Sequence, residues 1–135
     1  MNYKSTKEND AISSNGMVAT SHPLATEEAL KILKKGGNAI DAAISASIIL
    51  SVVEPNATSV GGDCFAIIKM EGKDPVAYNG SGIAPSKANF EYFKNKKIDK
   101  IGLTSPHSVT VPGAVDAWKK IHDDFGKLDF EELFI

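Results

Sequence analysis

The sequence predicts a mixed α/β (α+β) fold. Two segments of helical character closed by Gly36 and Pro55 precede a continuous apolar run, Cys64–Met70, and a hairpin turn. A further amphipathic helix then closes at Gly126.

Residues 1–15 are polar and read as a flexible arm ahead of a single unit over residues 16–135. Met17–Ser21 is short and mostly apolar, and reads as a strand. Pro23 suits the first turn of a helix. Glu27 and Glu28 lie early in it and Lys31, Lys34 and Lys35 late, which complements the helix dipole. Ala25, Ala29, Ile32 and Leu33 form its apolar stripe and Gly36 stops it. Asn38 caps a second helix, with Asp41 in the reciprocal position three residues on. From Ala39 to Val53 that helix is apolar almost all round, so it reads as buried, and its small residues Ala42, Ala43, Ser45, Ala46 and Ser47 admit a close neighbour.

Cys64–Met70 has too little polar alternation for a half-exposed strand and reads as a strand buried on both faces. Glu71–Asp74 is the turn and Pro75–Asn79 the returning strand. Pro85-Ser86 opens a helix to about Asn95, and the basic run Lys94–Lys100 reads as a solvated loop. Val115, Trp118, Ile121 and Phe125 hold helical spacing. Asp129 reads as the cap of one more helix, and the apolar turn Leu133-Phe134-Ile135 just after it leads to the expectation that the domain continues.

Composition narrows the function. Net charge is −2, so neither nucleic acid nor an anionic membrane surface is the expected partner. The longest apolar run, about 42–53, falls short of the ~20 residues that cross a bilayer. Residues 1–16 hold no apolar core of a secretory signal, which favours a cytoplasmic location, with a periplasmic one open if the true start lies elsewhere. All 15 basic residues are lysine, so the guanidinium fork that grips carboxylates is absent from this chain. Cys64 is the single cysteine and excludes an internal disulfide. At the head of a buried strand with no cationic neighbour in sight, it reads as a core residue rather than a nucleophile.

Gly36-Gly37-Asn38 and Gly61-Gly62-Asp63 lack phosphate-loop spacing; they read as a helix stop and a backbone bend. His22, His107 and His122 are too scattered to predict a metal site. The Asn79-Gly80-Ser81-Gly82 turn follows a strand. It reads first as a tight turn, second as a ligand contact whose small residues leave backbone N–H groups open.

The stretch GMVATSHPLATEEALKILKKGGNAIDAAISASIILSVVEP, followed by GGDCFAII, VAYNGSGIAPSKA, and TVPGAVDAW with FGKLDFEEL, resembles the opening of the γ-glutamyltransferase family. The resemblance runs from about Gly16 to the last residue, and KKGGNAIDAA is its most specific piece. It implies a portion of the four-layer αββα fold of the N-terminal-nucleophile hydrolases. It also implies a self-cleaving precursor, and an enzyme that hydrolyses or transfers γ-glutamyl or related acyl groups from amides such as glutathione. By that resemblance no metal and no organic cofactor takes part. The partners implied are a small-molecule amide substrate and the remainder of the precursor.

The family's nucleophile is a threonine at a newly exposed amino terminus, whose own α-amine supplies the base near neutral pH. Thr104 and Thr110 have no such amine and are structural by default, so no catalytic residue is expected in this chain. In the family an arginine on the segment before Ala-Pro grips the substrate α-carboxylate; in register with Ala84-Pro85 and Lys87 that position is Ser81. Some acylase-like relatives carry an arginine immediately before Ala-Pro, where this chain has Ile83. Ser81, with Asn79 beside it, is therefore the expected substrate contact, toward a substrate the sequence leaves unassigned. The alternatives are an acylase-type amidohydrolase of the same family and a non-catalytic α/β binding module.

Overall fold

The computed structural model describes residues 11–134. Its elements are α1 (Pro23–Lys35), α2 (Ala39–Val53), β1 (Cys64–Ile68), β2 (Val76–Gly80), α3 (Phe90–Asn95) and α4 (Ala114–Phe125), with 3₁₀ turns at Pro106–Ser108 and Phe130–Phe134. The expected arm lies outside the described residues as far as residue 10, and Ile135 lies outside them too.

α1 begins where sequence chemistry places it. His22 caps it, its Nδ1 accepting from the Leu24 N–H, and Pro23 takes the first position. At the other end Gly36 adopts φ 104°, the left-handed conformation that favours glycine. Gly37 is needed for another reason: a Cβ there would lie 2.8 Å from the Ile32 side chain and 3.0 Å from Leu128. Glu27 and Glu28 fall beyond the first turn and pair with Lys31 at 3.4 and 3.2 Å instead of complementing the dipole.

The capping box on α2 is complete. Asn38 Oδ1 accepts from the N–H groups of Ile40 and Asp41, and Asp41 Oδ2 accepts from the Asn38 N–H at 2.8 Å. α2 is the hub, packing against α1, α4 and the final 3₁₀ turn. Its buried residues all lie in its first half, however, between Ile40 and Ala46; Val52 is 76% exposed. The core joins Ala25, Ala29 and Ile32 of α1 to Ile40, Ile44 and Ala46 of α2, Ile68 of β1, and Trp118 and Ile121 of α4.

β1 and β2 form an antiparallel pair in the register Cys64↔Gly80, Phe65↔Asn79, Ala66↔Tyr78, Ile67↔Ala77 and Ile68↔Val76. The expected doubly buried strand is corrected here. One face, with Cys64, Ala66 and Ile68, lies toward the helices. The other leaves Phe65 68% and Ile67 82% exposed, because no second layer covers it among the described residues.

Four further expectations change. Met17–Ser21 forms no strand, since neither β1 nor β2 pairs with it; Val18 still packs against the core. α3 starts at Phe90 rather than near Pro85, because Pro85–Ala88 closes a turn and Asn89 caps the helix through the Tyr92 N–H. α4 buries Ala114, Ala117, Trp118 and Ile121, leaving Val115 exposed one step off the stripe. After Asp129 the chain makes a 3₁₀ turn, which buries Leu133. No helix among the described residues is long and apolar enough to cross a membrane.

Candidate functional site

Three distant segments meet where β2 ends and α4 begins: Gly62-Asp63, Asn79–Gly82, and Thr110–Ala114. α4 has no side-chain cap at Gly113. The Gly62 carbonyl does that work, accepting from the Gly113 and Ala114 N–H groups at 3.0 Å each. Asp63 Oδ1 accepts from the Gly82 N–H at 2.9 Å and from the Thr110 hydroxyl at 3.1 Å. Val111 N–H donates to the Ile83 carbonyl at 3.3 Å.

These bonds press the segments together until side chains are excluded. A Cβ on Gly82 would stand 1.3 Å from the Val111 carbonyl oxygen, and one on Gly113 2.4 Å from that of Gly80. A Cβ on Gly80 would meet the Ala117 Cβ at 2.3 Å. The glycines thus set a backbone-on-backbone contact that fixes the turn against α4.

Ser81 and Asn79 are brought together, as expected. The Asn79 side chain accepts from the Ser81 N–H at 3.0 Å, an Asx turn. Ser81 is exposed, and its hydroxyl lies 3.5 Å from the Gly82 carbonyl, a long contact that leaves the donor available. Asn79 shares the open sheet face with Phe65, Ile67 and Ala77, and lines a shallow depression of about 600 Å³ with them. The expectation of open backbone N–H groups is corrected: Asn79 takes that of Ser81 and Asp63 takes that of Gly82. What the turn offers is side chains, not a nest of amides. Asp63 and Thr110 escaped sequence reading as partners of the turn. The one available signal was that both lie in stretches carrying the family resemblance.

Cys64 is half-buried at the head of β1, and burial raises its thiol above the ordinary value despite a hydrogen bond with Trp118 that lowers it. It therefore stays protonated at neutral pH. The histidines serve separate structural ends. His22 caps α1, His107 lies 3.2 Å from both the Tyr92 and Ser105 hydroxyls, and His122 Nε2 is 2.8 Å from the Leu128 carbonyl.

A family model described as gamma-glutamyltranspeptidase matches residues 25–135. The glutathione hydrolase-like YwrD proenzyme of Bacillus subtilis is 38% identical over 124 residues, which cover 90% of this chain and 23% of that protein. Among solved structures, a cephalosporin acylase from Bacillus halodurans superposes with a TM-score of 0.79 at 40% identity, covering 94% of this chain and 24% of the other. A gamma-glutamyltranspeptidase from Pseudomonas nitroreducens complexed with L-DON superposes with a TM-score of 0.80 at 35% identity, covering 90% and 37%. The chain spans about a quarter of the length of the curated relative.

Proposed function

The chain belongs to the gamma-glutamyltranspeptidase family of enzymes, with the fold of the N-terminal-nucleophile hydrolases, and from that premise we propose that it forms the opening part of the large subunit of an amide hydrolase or acyltransferase. A threonine outside these 135 residues attacks the amide carbonyl, its α-amine taking the hydroxyl proton. The leaving amine departs with a proton. Water or an acceptor amine then releases the acyl group from the ester. This chain contributes the wall of the site that holds the acyl side, through Ser81 and Asn79.

One observation carries this reading. The Ser81 turn is closely packed and presents an exposed hydroxyl whose one contact, to the Gly82 carbonyl, is long at 3.5 Å, while the chain holds no arginine at all. A γ-glutamyl α-carboxylate thus meets a neutral hydroxyl here rather than a charged fork. The names of the relatives span both possibilities, a glutathione hydrolase-like proenzyme and a cephalosporin acylase. Ser81 favours acyl amides without an α-carboxylate over glutathione. The test is to assay the complete protein with γ-glutamyl-p-nitroanilide and with a simple acyl anilide, beside the 135-residue chain alone. The complete protein should turn over the acyl anilide with the higher kcat/KM, and the chain alone neither. Turnover by the chain alone sinks the external nucleophile, and strong preference for the γ-glutamyl substrate sinks the acylase preference.

A further inference from the structure

We propose that Asp63 is a positioning residue for substrate binding, holding the Ser81 turn in place against the entrance of α4; the inference rests on the reading of Ser81 as a substrate contact. Three rungs join the turn and its surroundings to the segment before α4. The outer two are backbone only: Ile83 to Val111, and Gly62 to Gly113 and Ala114. The middle rung depends on one side-chain atom. Asp63 Oδ1 takes the Gly82 N–H from 19 residues away and the Thr110 hydroxyl from 47 away.

Gly82 is wedged against Val111, where even a methyl group has no room, and the Ser81 N–H is already committed to Asn79. Without the Asp63 acceptor, the Gly82 N–H points at an unoccupied position and the turn loses its tether one residue from the Ser81 hydroxyl. A carboxylate is suited to the role because it only accepts, and so it cannot repel either donor. Loosening the turn misplaces a group that holds the substrate in ground state and transition state alike, so KM rises while kcat stays close to its original value.

The experiment uses the complete enzyme, the acyl anilide, and hydrogen exchange of the peptide spanning residues 80–84. Asp63→Ala should raise KM about tenfold with kcat within about threefold, and exchange at 80–84 should quicken about tenfold. Asp63→Asn, whose amide oxygen still accepts both bonds, should restore both readouts. Asp63→Ala with unaltered KM and exchange overturns the inference, and so does failure of Asp63→Asn to rescue. If Asp63→Ala does not fold, Asp63→Glu takes its place. It keeps the charge but carries the oxygen one methylene further, so KM should rise, and an unchanged KM overturns the inference. Ser81→Ala separates the two readings. An unchanged KM there, with the Asp63→Ala effects present, removes Ser81 as the contact and leaves Asp63 positioning the turn. A raised KM there, with Asp63→Ala silent, removes the role of Asp63 alone.

Discussion

Asp41 Oδ1 accepts from the Lys127 backbone N–H at 3.1 Å, joining the first turn of α2 to the loop after α4 across 86 residues of sequence. The carboxylate is fully buried, and its other oxygen takes the Asn38 N–H, with Leu128 N–H further off at 3.4 Å. His122 stands 3.6 Å away. A residue that caps its own helix is thus also the pin holding α4 to α2, which Asn38 reinforces by donating from its side chain to the Phe125 carbonyl at 2.6 Å.

Asp41→Ala should therefore destabilise the protein by about 3 kcal/mol or more, since it loses a capping box and strands several buried donors. Asp41→Asn should recover only part of this, because its NH₂ faces donors. The midpoint of urea unfolding of the complete protein, compared across the three, checks the order.

Gly82→Ala should disrupt the site more than the fold. Its Cβ collides with backbone that cannot swing aside, and a shift of the turn by an ångström is worth about 10²-fold in kcat/KM. Gly36→Ala is the contrast: the space there is open but φ is 104°, so it should cost about 1–2 kcal/mol of stability and leave turnover intact. Steady-state kinetics and melting of both variants separate the cases.

Ser81→Arg restores the fork that the turn lacks. In the complete enzyme the ratio of kcat/KM for the γ-glutamyl over the acyl substrate should rise, approaching tenfold, about 1.4 kcal/mol. A fall in that ratio, in an enzyme already favouring the γ-glutamyl substrate, assigns the carboxylate to residues outside this chain.

Tyr78 Oη donates to Asp124 at the junction of β2 and α4. That bond, then the neighbouring Lys120, holds the Asp124 carboxyl below its ordinary 3.8, while the same bond raises the Tyr78 phenol above 10.0. A depressed carboxyl stabilises the folded state above its unfolded value and ceases to do so as pH falls through its folded one. The melting-temperature gap between the wild type and Tyr78→Phe should accordingly be flat through neutral pH and close as pH drops below about 4. It should close again in strong alkali, as the phenol ionises. A gap that is constant from pH 7 to pH 2.5 rules the linkage out.

The elements themselves were legible in the sequence because their signals are local. Pro23, Gly36, the Asn38–Asp41 box and Gly126 each act within one turn of helix, and the hairpin turn and apolar run fix β1 and β2 to within two residues. The Asn79–Gly82 turn was legible for the same reason, but the bond from the Ser81 N–H to Asn79 was not read there. The absence of arginine and the single cysteine were legible as well.

What only the tertiary structure decided depends on groups far apart in the chain. An apolar run such as Cys64–Ile68 states that its side chains gain by burial but not what covers them, and Phe65 and Ile67 stay open because nothing among the described residues lies over them. Met17–Ser21 has strand composition but pairs with no strand among the described residues. Likewise, whether the N–H of Ser81 or Gly82 is free to meet a ligand depends on which acceptor reaches it. For Ser81 that acceptor is two residues away and local rules could find it; for Gly82 it is Asp63, 19 residues back. The sequence alone determined α1, α2 and α4, the hairpin turn and the family. The approach of Asp63 to the Asn79–Gly82 turn decided that it presents side chains rather than amides, because a backbone donor is satisfied by proximity in space, which composition and periodicity do not encode.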